Sequence, residues 1–263
     1  MVLDDRIPTE ATRLARRLES LSEWSQRSLL AARWLEARSP ETVAVLFAQL
    51  IVNSFGLRDV RSTIAAESML LASLFGQWSD VHRRHVREAA AAFDELLTLA
   101  FLTAEEEPAA PFLDVTEDDL EVPDYGVGRP LTLGERRTVA VRPSRRMIER
   151  AMLDPHPLVV SNLLTNAKLI EADVVRMAAR RPGATPVLVE IALHPRWRRR
   201  RRVAMALVYN PELPPVFGIS LLPWLVRGEL QAVVADGRLA EEVRDAGRLL
   251  LQSVASEDSA QPR

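Results

Sequence analysis

Two matching segments 44 residues apart constrain the fold of this chain more than anything else in it. Val159, Leu163, Asn166 and Leu169 in VVSNLLTNAKL align with Val203, Leu207, Asn210 and Leu213 in RVAMALVYNPEL. The match extends into a following helix, where Val174, Met177 and Ala178 align with Gly218, Leu221 and Leu222. A short helical unit that recurs cannot bury its own apolar stripe, so its copies must pack against one another. Repetition of this kind specifies architecture and leaves activity open.

The rest of the chain reads as helical too. From about Thr9 to Leu102 apolar residues recur at spacings of three and four, as in Leu14, Leu18 and Leu21 and in Ile64, Glu67, Leu71 and Leu74. Breaks fall at RSPE (38–41), at Gly56 and at FGQWSD (75–80), which allows four or five helices. Ser39 before Pro40 and Glu41 reads as an N-cap with proline at the first helical position. Residues 105–124 then carry nine acidic side chains, three prolines and no basic residue. Such a stretch repels itself and resists helix formation, so it reads as a linker. Residues 129–202 reverse the sign, with sixteen arginines and Lys168 against six carboxylates, a net charge of +11 hidden inside a chain total of −2.

These patterns predict an all-α protein: an N-terminal helical bundle-like domain (1–104), an acidic linker (105–128), an arginine-rich α-solenoid of helical-hairpin repeats (129–252) and a disordered tail (253–263). The last helix should place Leu239, Val243, Ala246 and Leu250 on one face. Prolines mark the repeat turns, Pro155 in LDP, Pro195 in LHP and Pro211 in NPELPP. Asn166 and Asn210 should close their turns with side-chain hydrogen bonds to the backbone. His156 and His194, each beside a proline, should act as caps.

The segment VAMALVYNPELPP, an alanine-rich helix followed by the Asn210-Pro211 turn and a proline-initiated helix, resembles the leucine-rich repeat variant family, a relative of HEAT-type α-solenoids. The resemblance covers roughly residues 143–252 and implies stacked helices with a concave binding surface. The first copy departs from the pattern by having Ala167 where proline is expected, and the helix near Arg196 is about four residues longer than its counterpart near His156. The cluster-binding cysteines associated with the family are absent.

Composition removes several chemistries. With no cysteine the chain can form no disulfide, thiolate metal site or cysteine nucleophile. The first ten residues contain no apolar signal region, and the longest uncharged run, Thr42 to Leu57, is shorter than the roughly 20 residues of a membrane span, so a cytoplasmic protein without a membrane segment is expected. There is no glycine-rich phosphate loop, nucleophile elbow or kinase motif set, and the expectation is a non-catalytic chain without cofactor or bound metal. A hydrolase using His82 and His85, with Asp80 and Glu88 nearby, would require a metal, but the spacing lacks the flanking glutamate of zincins.

The sharpest local feature is RWRRRRR, made of Arg196, Trp197, Arg198, Arg199, Arg200, Arg201 and Arg202. Arginines in the first turn of a helix oppose its dipole, so an anion should compensate them. A solvated or internally paired face is the plainest account. The functional ones are an acidic protein partner, which makes the chain a scaffold or adaptor, or nucleic acid, with Trp197 stacking on a base as in a HEAT-like repair protein. Trp24, Trp34, Trp78, Trp197 and Trp224 are too scattered for a stacking platform and read as core anchors. Residues 105–124 are expected to shield the basic repeats.

Overall fold

In the computed structural model the described residues are 6–21, 23–102, 109–116, 120–142 and 144–260, and they are 70% helical with no strand among them. The chain divides into two compact units, one formed by Met1–Pro108 with Leu222–Arg263 and the other by Ala109–Leu221. The first is therefore discontinuous in sequence.

Unit 1 begins with α1 (Arg6–Glu19), α2 (Trp24–Glu36) and α3 (Pro40–Ser54), followed by a short 3-10 turn (Phe55–Leu57), α4 (Val60–Leu74), α5 (Asp80–Ala92) and α6 (Leu96–Phe101). α4 is the central element: every side chain from Ser62 to Leu74 is buried, and the helix packs against α1, α2 and α3. Ala65, Ala66, Ser68, Ala72 and Ser73 keep its girth small enough for three neighbours to approach, and Ser68 Oγ satisfies itself on the Ile64 carbonyl at 2.6 Å. Asp59 caps its start, accepting from the amides of Arg61 and Ser62. α3 starts as its sequence predicts, with Ser39 Oγ accepting from the Thr42 amide and Pro40 at the first position. Together with the 3-10 turn after it, Pro40–Leu57 is long and apolar enough to cross a membrane by length and composition alone, yet α3 packs against α4, α5 and α6 and buries Val43, Ala44, Leu46, Phe47, Leu50 and Ile51. Gly56, at φ +64, turns the chain from α3 towards α4.

In unit 2 the elements are α7 (Ala110–Leu113), α8 (Leu133–Ala140), α9 (Arg145–Ala151), α10 (Pro157–Leu164), α11 (Glu171–Ala179), α12 (Thr185–Leu193), α13 (Pro195–Arg198), α14 (Arg201–Val208) and α15 (Pro215–Ile219). α10 packs on α8 and α12, α14 packs on α11, and Phe112 of α7 meets Phe217 of α15 edge-to-face at 5.8 Å between ring centroids. α11 and α15 both follow an asparagine turn, but α15 stops after five residues, so the alignment of Val174, Met177 and Ala178 with Gly218, Leu221 and Leu222 outlasts the helix.

Unit 1 resumes with a 3-10 turn (Leu222–Trp224), α16 (Arg227–Ala235) and α17 (Glu241–Ala260). The segment from Leu222 onward was expected to continue the repeats. Instead α17 packs against α16, α6 and α3, with Gln49 Nε2 donating to Glu257 and Arg58 pairing with Asp258 at 3.2 Å. The disordered tail expected at 253–263 is corrected over 253–260, where α17 continues to Ala260 because Val254 extends the buried stripe of Val243, Ala246 and Leu250 by one more turn; residues 261–263 lie outside the described residues. The acidic stretch 105–124 lies partly outside the described residues. Within it Ala110–Leu113 is helical, and Asp114, Glu121 and Asp124 are exposed.

Candidate functional site

The two asparagines singled out by the repeat occupy the same environment. Asn166 Nδ2 donates to the carbonyls of Ala140 (2.7 Å) and Arg142 (2.9 Å) at the end of α8, and its Oδ1 accepts from the Lys168 amide. Asn210 Nδ2 donates to Ala178 (2.8 Å) and Arg180 (3.2 Å) at the end of α11, and its Oδ1 accepts from the Glu212 amide. Each side chain thus supplies two donors to orphan helix-terminal carbonyls and one acceptor to its own turn. Pro211 sits exposed in the second turn, where the first has Ala167. A third turn of this type occurs at Asp236, whose carboxylate accepts from the Arg238 amide and whose carbonyl accepts from Leu239, as Asn166 and Asn210 accept from Leu169 and Leu213. A carboxylate has no N–H to donate, so this turn is tied instead to the Arg238 guanidinium.

Other pairs repeat at a different interval. Ala140 and Ala178, Arg142 and Arg180, and His156 and His194 are each 38 residues apart. Both histidines are N-caps: His156 Nδ1 accepts from the Leu158 amide at 3.2 Å and His194 Nδ1 from the Arg196 amide at 3.3 Å, each with proline next. Each copy therefore holds more than a hairpin ahead of its asparagine turn, α8, α9 and α10 in one and α11, α12, the four-residue α13 and α14 in the other, where the sequence suggests hairpins. The interval grows from 38 at the histidines to 44 at the asparagines, so the second copy contains six additional residues. α10 and α14 are both eight residues long, which places the insertion at Pro195–Arg200, the arginine-rich turn.

The structure splits this run into an anchor and a ridge. Trp197 is 2% exposed and donates from Nε1 to the carbonyl of Leu164, the last residue of α10, at 2.8 Å. Arg198 is 0% exposed, and its Nη2 donates to the carbonyl and hydroxyl of Ser220 at 3.1 and 3.0 Å. Those two residues therefore belong to the interior and cannot contact a partner, which corrects their place among the binding candidates. Apolar bulk at Trp197 and the open carbonyls that end α10 and α15 explain why the chain draws them in. Arg196 is exposed and lies over the Trp197 ring at 4.3 Å from its centroid. Arg199 is half-buried and donates to the Pro195 carbonyl at 3.2 Å, whereas Arg200, Arg201 and Arg202 are exposed. Trp34, Trp78 and Trp224 are also buried, in keeping with an anchoring role.

His194 makes this turn sensitive to acid. Burial first, and then the neighbouring Arg196 charge, pull its pKa down to about 4 from an ordinary 6.5. The cap needs the unprotonated Nδ1. Between these values the unfolded chain binds more protons than the folded one, so stability is complete above about pH 6.5 and falls as the pH is lowered towards 4. The expected loss is up to about 3 kcal/mol. His194→Asn, which keeps a capping oxygen without the titration, should remove this component from urea midpoints measured across the range. An identical pH dependence in the variant would refute the assignment.

A second buried polar group lies in the first copy. Asp154 receives Arg136 Nη1 on both oxygens (2.9 and 2.8 Å), the Tyr125 hydroxyl at 2.7 Å and the His156 amide at 3.0 Å. Burial, and then the adjacent Asp154 charge, push the Tyr125 hydroxyl far above its usual range, so it remains a donor. Pro155, half-buried, carries the chain from Asp154 to the His156 cap. At the equivalent positions of the second copy stand Val174 and Ala192, both buried.

Unit 1 contains a cavity of about 410 Å³ lined by Asp80, Arg83, Arg84, Arg87, Glu88, Ala91 and Leu99. The sequence reading noticed this stretch only for His82 and His85. His85 is exposed, the His82 ring lies 6.0 Å from that of Trp78, and among the described residues no group of three or more His, Cys, Asp or Glu side chains is placed to hold a metal ion. Arg83, Arg84 and Arg87, in the middle of α5, are the sequence signal that marks this lining. No known protein family, characterised protein or solved structure matches this chain.

Proposed function

We propose that this protein is a non-catalytic binding module, a scaffold or adaptor that holds an acidic protein partner against the arginine ridge of unit 2. The observation that carries the reading is the six-residue insertion, fixed at Trp197 and Arg198 while Arg196, Arg200, Arg201 and Arg202 face solvent. Arg201 and Arg202 occupy the first turn of α14, where each opposes the helix dipole by about 0.3–1 kcal/mol. An anionic surface docked there would reverse that disadvantage. The two helical copies and their matched asparagine turns support an α-solenoid, whose surfaces serve as platforms. Nucleic acid is the weaker alternative because the aromatic side chain that would stack on a base is buried.

The test is fluorescence anisotropy with a labelled poly-glutamate peptide, a DNA duplex and a single strand over a series of salt concentrations. The peptide should bind in a salt-sensitive way, and Arg200→Gln/Arg201→Gln/Arg202→Gln should weaken it roughly tenfold or more, from the sum of several exposed charge contacts. Tighter binding of either DNA, lost in the same variant, would replace this reading with the nucleic-acid one. Binding of no probe, or an unaffected variant, would end both.

A further inference from the structure

The cavity of unit 1 has an excess of positive charge among its described lining residues, three arginines against Asp80 and Glu88. Arg83 is buried, with Nη2 paired to the Asp80 carboxylate and Nη1 donating to the Ser73 carbonyl at 3.4 Å. That pairing occupies one of the two acidic groups in the lining. Arg87 is half-buried, and its Nη1 donates to the carbonyls of Leu99 (3.0 Å) and Leu102. Those acceptors, at the end of α6, hold the guanidinium in place without carrying a compensating charge. Burial, and then the Arg83 charge one turn earlier, pull the Arg87 pKa below its ordinary value. Arg84 is exposed on the lining and has no ion pair among the described residues. Like charges at i, i+3 and i, i+4 on one helix are mutually unfavourable, so three arginines within five residues of α5 carry an electrostatic disadvantage that an anion would remove.

We propose that this cavity binds a small organic monophosphate, with its phosphoryl oxygens between Arg84 and Arg87 and its organic part against Ala91 and Leu99. Guanidinium forks match phosphate oxygens in geometry, and two of them suit a dianion. The volume falls within the range of small-ligand sites and is too small for a folded partner. Glu88, an exposed carboxylate in the same lining, disfavours a second phosphoryl group, which selects a monophosphate over a polyphosphate. Ala91 and Leu99 give the organic part an apolar wall, so the site is more than a trap for inorganic anions.

Calorimetric titration of the full chain with phenyl phosphate, inorganic phosphate and phenol at low ionic strength tests the assignment. Phenyl phosphate should bind more tightly than inorganic phosphate, and phenol should not bind measurably. Arg84→Gln, at an exposed position where folding is not at stake, should weaken phenyl phosphate about tenfold or more, while Arg200→Gln/Arg201→Gln/Arg202→Gln should leave it unchanged. The assignment is overturned if phenyl phosphate fails to bind at millimolar concentration, if inorganic phosphate binds equally well, or if Arg84→Gln binds like the parent protein. The ridge variant serves as the control that separates failure here from failure of the proposed function.

Discussion

Replacing Asp154 by alanine is expected to destabilise unit 2 by about 3–5 kcal/mol, because the change strands the Arg136 guanidinium, 0% exposed, without its counter-charge. The Tyr125 hydroxyl and the His156 amide lose their acceptor in the same step. A buried ion pair is poor evidence of net stabilisation, since the desolvation of both charges offsets much of their attraction. The protein supplies its own comparison: where the first copy has Arg136 and Asp154, the second has Val174 and Ala192 at the same 38-residue interval, and these two positions are buried there without charge. The triple variant Tyr125→Phe, Arg136→Met, Asp154→Ala should therefore recover most of what Asp154→Ala alone loses. Urea unfolding of the three proteins decides the matter. A single variant within 1 kcal/mol of the parent, or a triple variant no better than the single, would show that the group is not the determinant described.

Truncating Trp197 to alanine should produce a loss of similar size, about 3–5 kcal/mol for a buried tryptophan. It leaves a large void and deprives the Leu164 carbonyl of its indole donor. Trp197→Phe separates these contributions, since it keeps most of the ring volume and should lose only about 1–2 kcal/mol from the missing hydrogen bond and the smaller ring. Amide hydrogen exchange reports the site directly: in Trp197→Ala the amides of α10 and α14 should exchange faster together. Exchange that accelerates in neither helix would contradict the anchoring role. The same variant should weaken the poly-glutamate probe, because the ridge depends on this side chain for its placement.

Local signals in the sequence were read correctly where they act within a few residues. Ser39 with Pro40, the histidine–proline pairs and the Oδ1 contacts of the two asparagines rest on side chains that satisfy nearby backbone groups, and such chemistry is written in short spacings, whereas the asparagine Nδ2 donors reach carbonyls 24 to 32 residues away. The all-α class followed from the same periodicity. The arginine run was misjudged because residue type alone does not separate a buried guanidinium from an exposed one, and the carbonyls that draw in Trp197 and Arg198 lie 33 and 22 residues away. The third turn, at Asp236, does not stand out in the sequence because it carries aspartate in place of asparagine, although a carboxylate accepts the same amide. Leu222 onward was assigned to the repeats because nothing in its own periodicity names its packing partners. The cavity beside α5 has no signature in the local sequence because its lining combines one helix with Leu99, which follows it after a turn.

The discontinuity of unit 1 has a bearing on how the chain is made. Translation delivers residues in order, and the helix that covers α3 and α6 emerges only after the whole of unit 2. Domains fold as units during synthesis, so the stretch from Ala109 to Leu221 can finish while the earlier helices still wait for theirs. During that interval the apolar surface destined for Val243, Ala246, Leu250 and Val254 stays uncovered. A ribosome that stops short of α17 would release a chain with one finished half and one sticky half, which gives chaperones and proteases a physical basis for recognising the incomplete product.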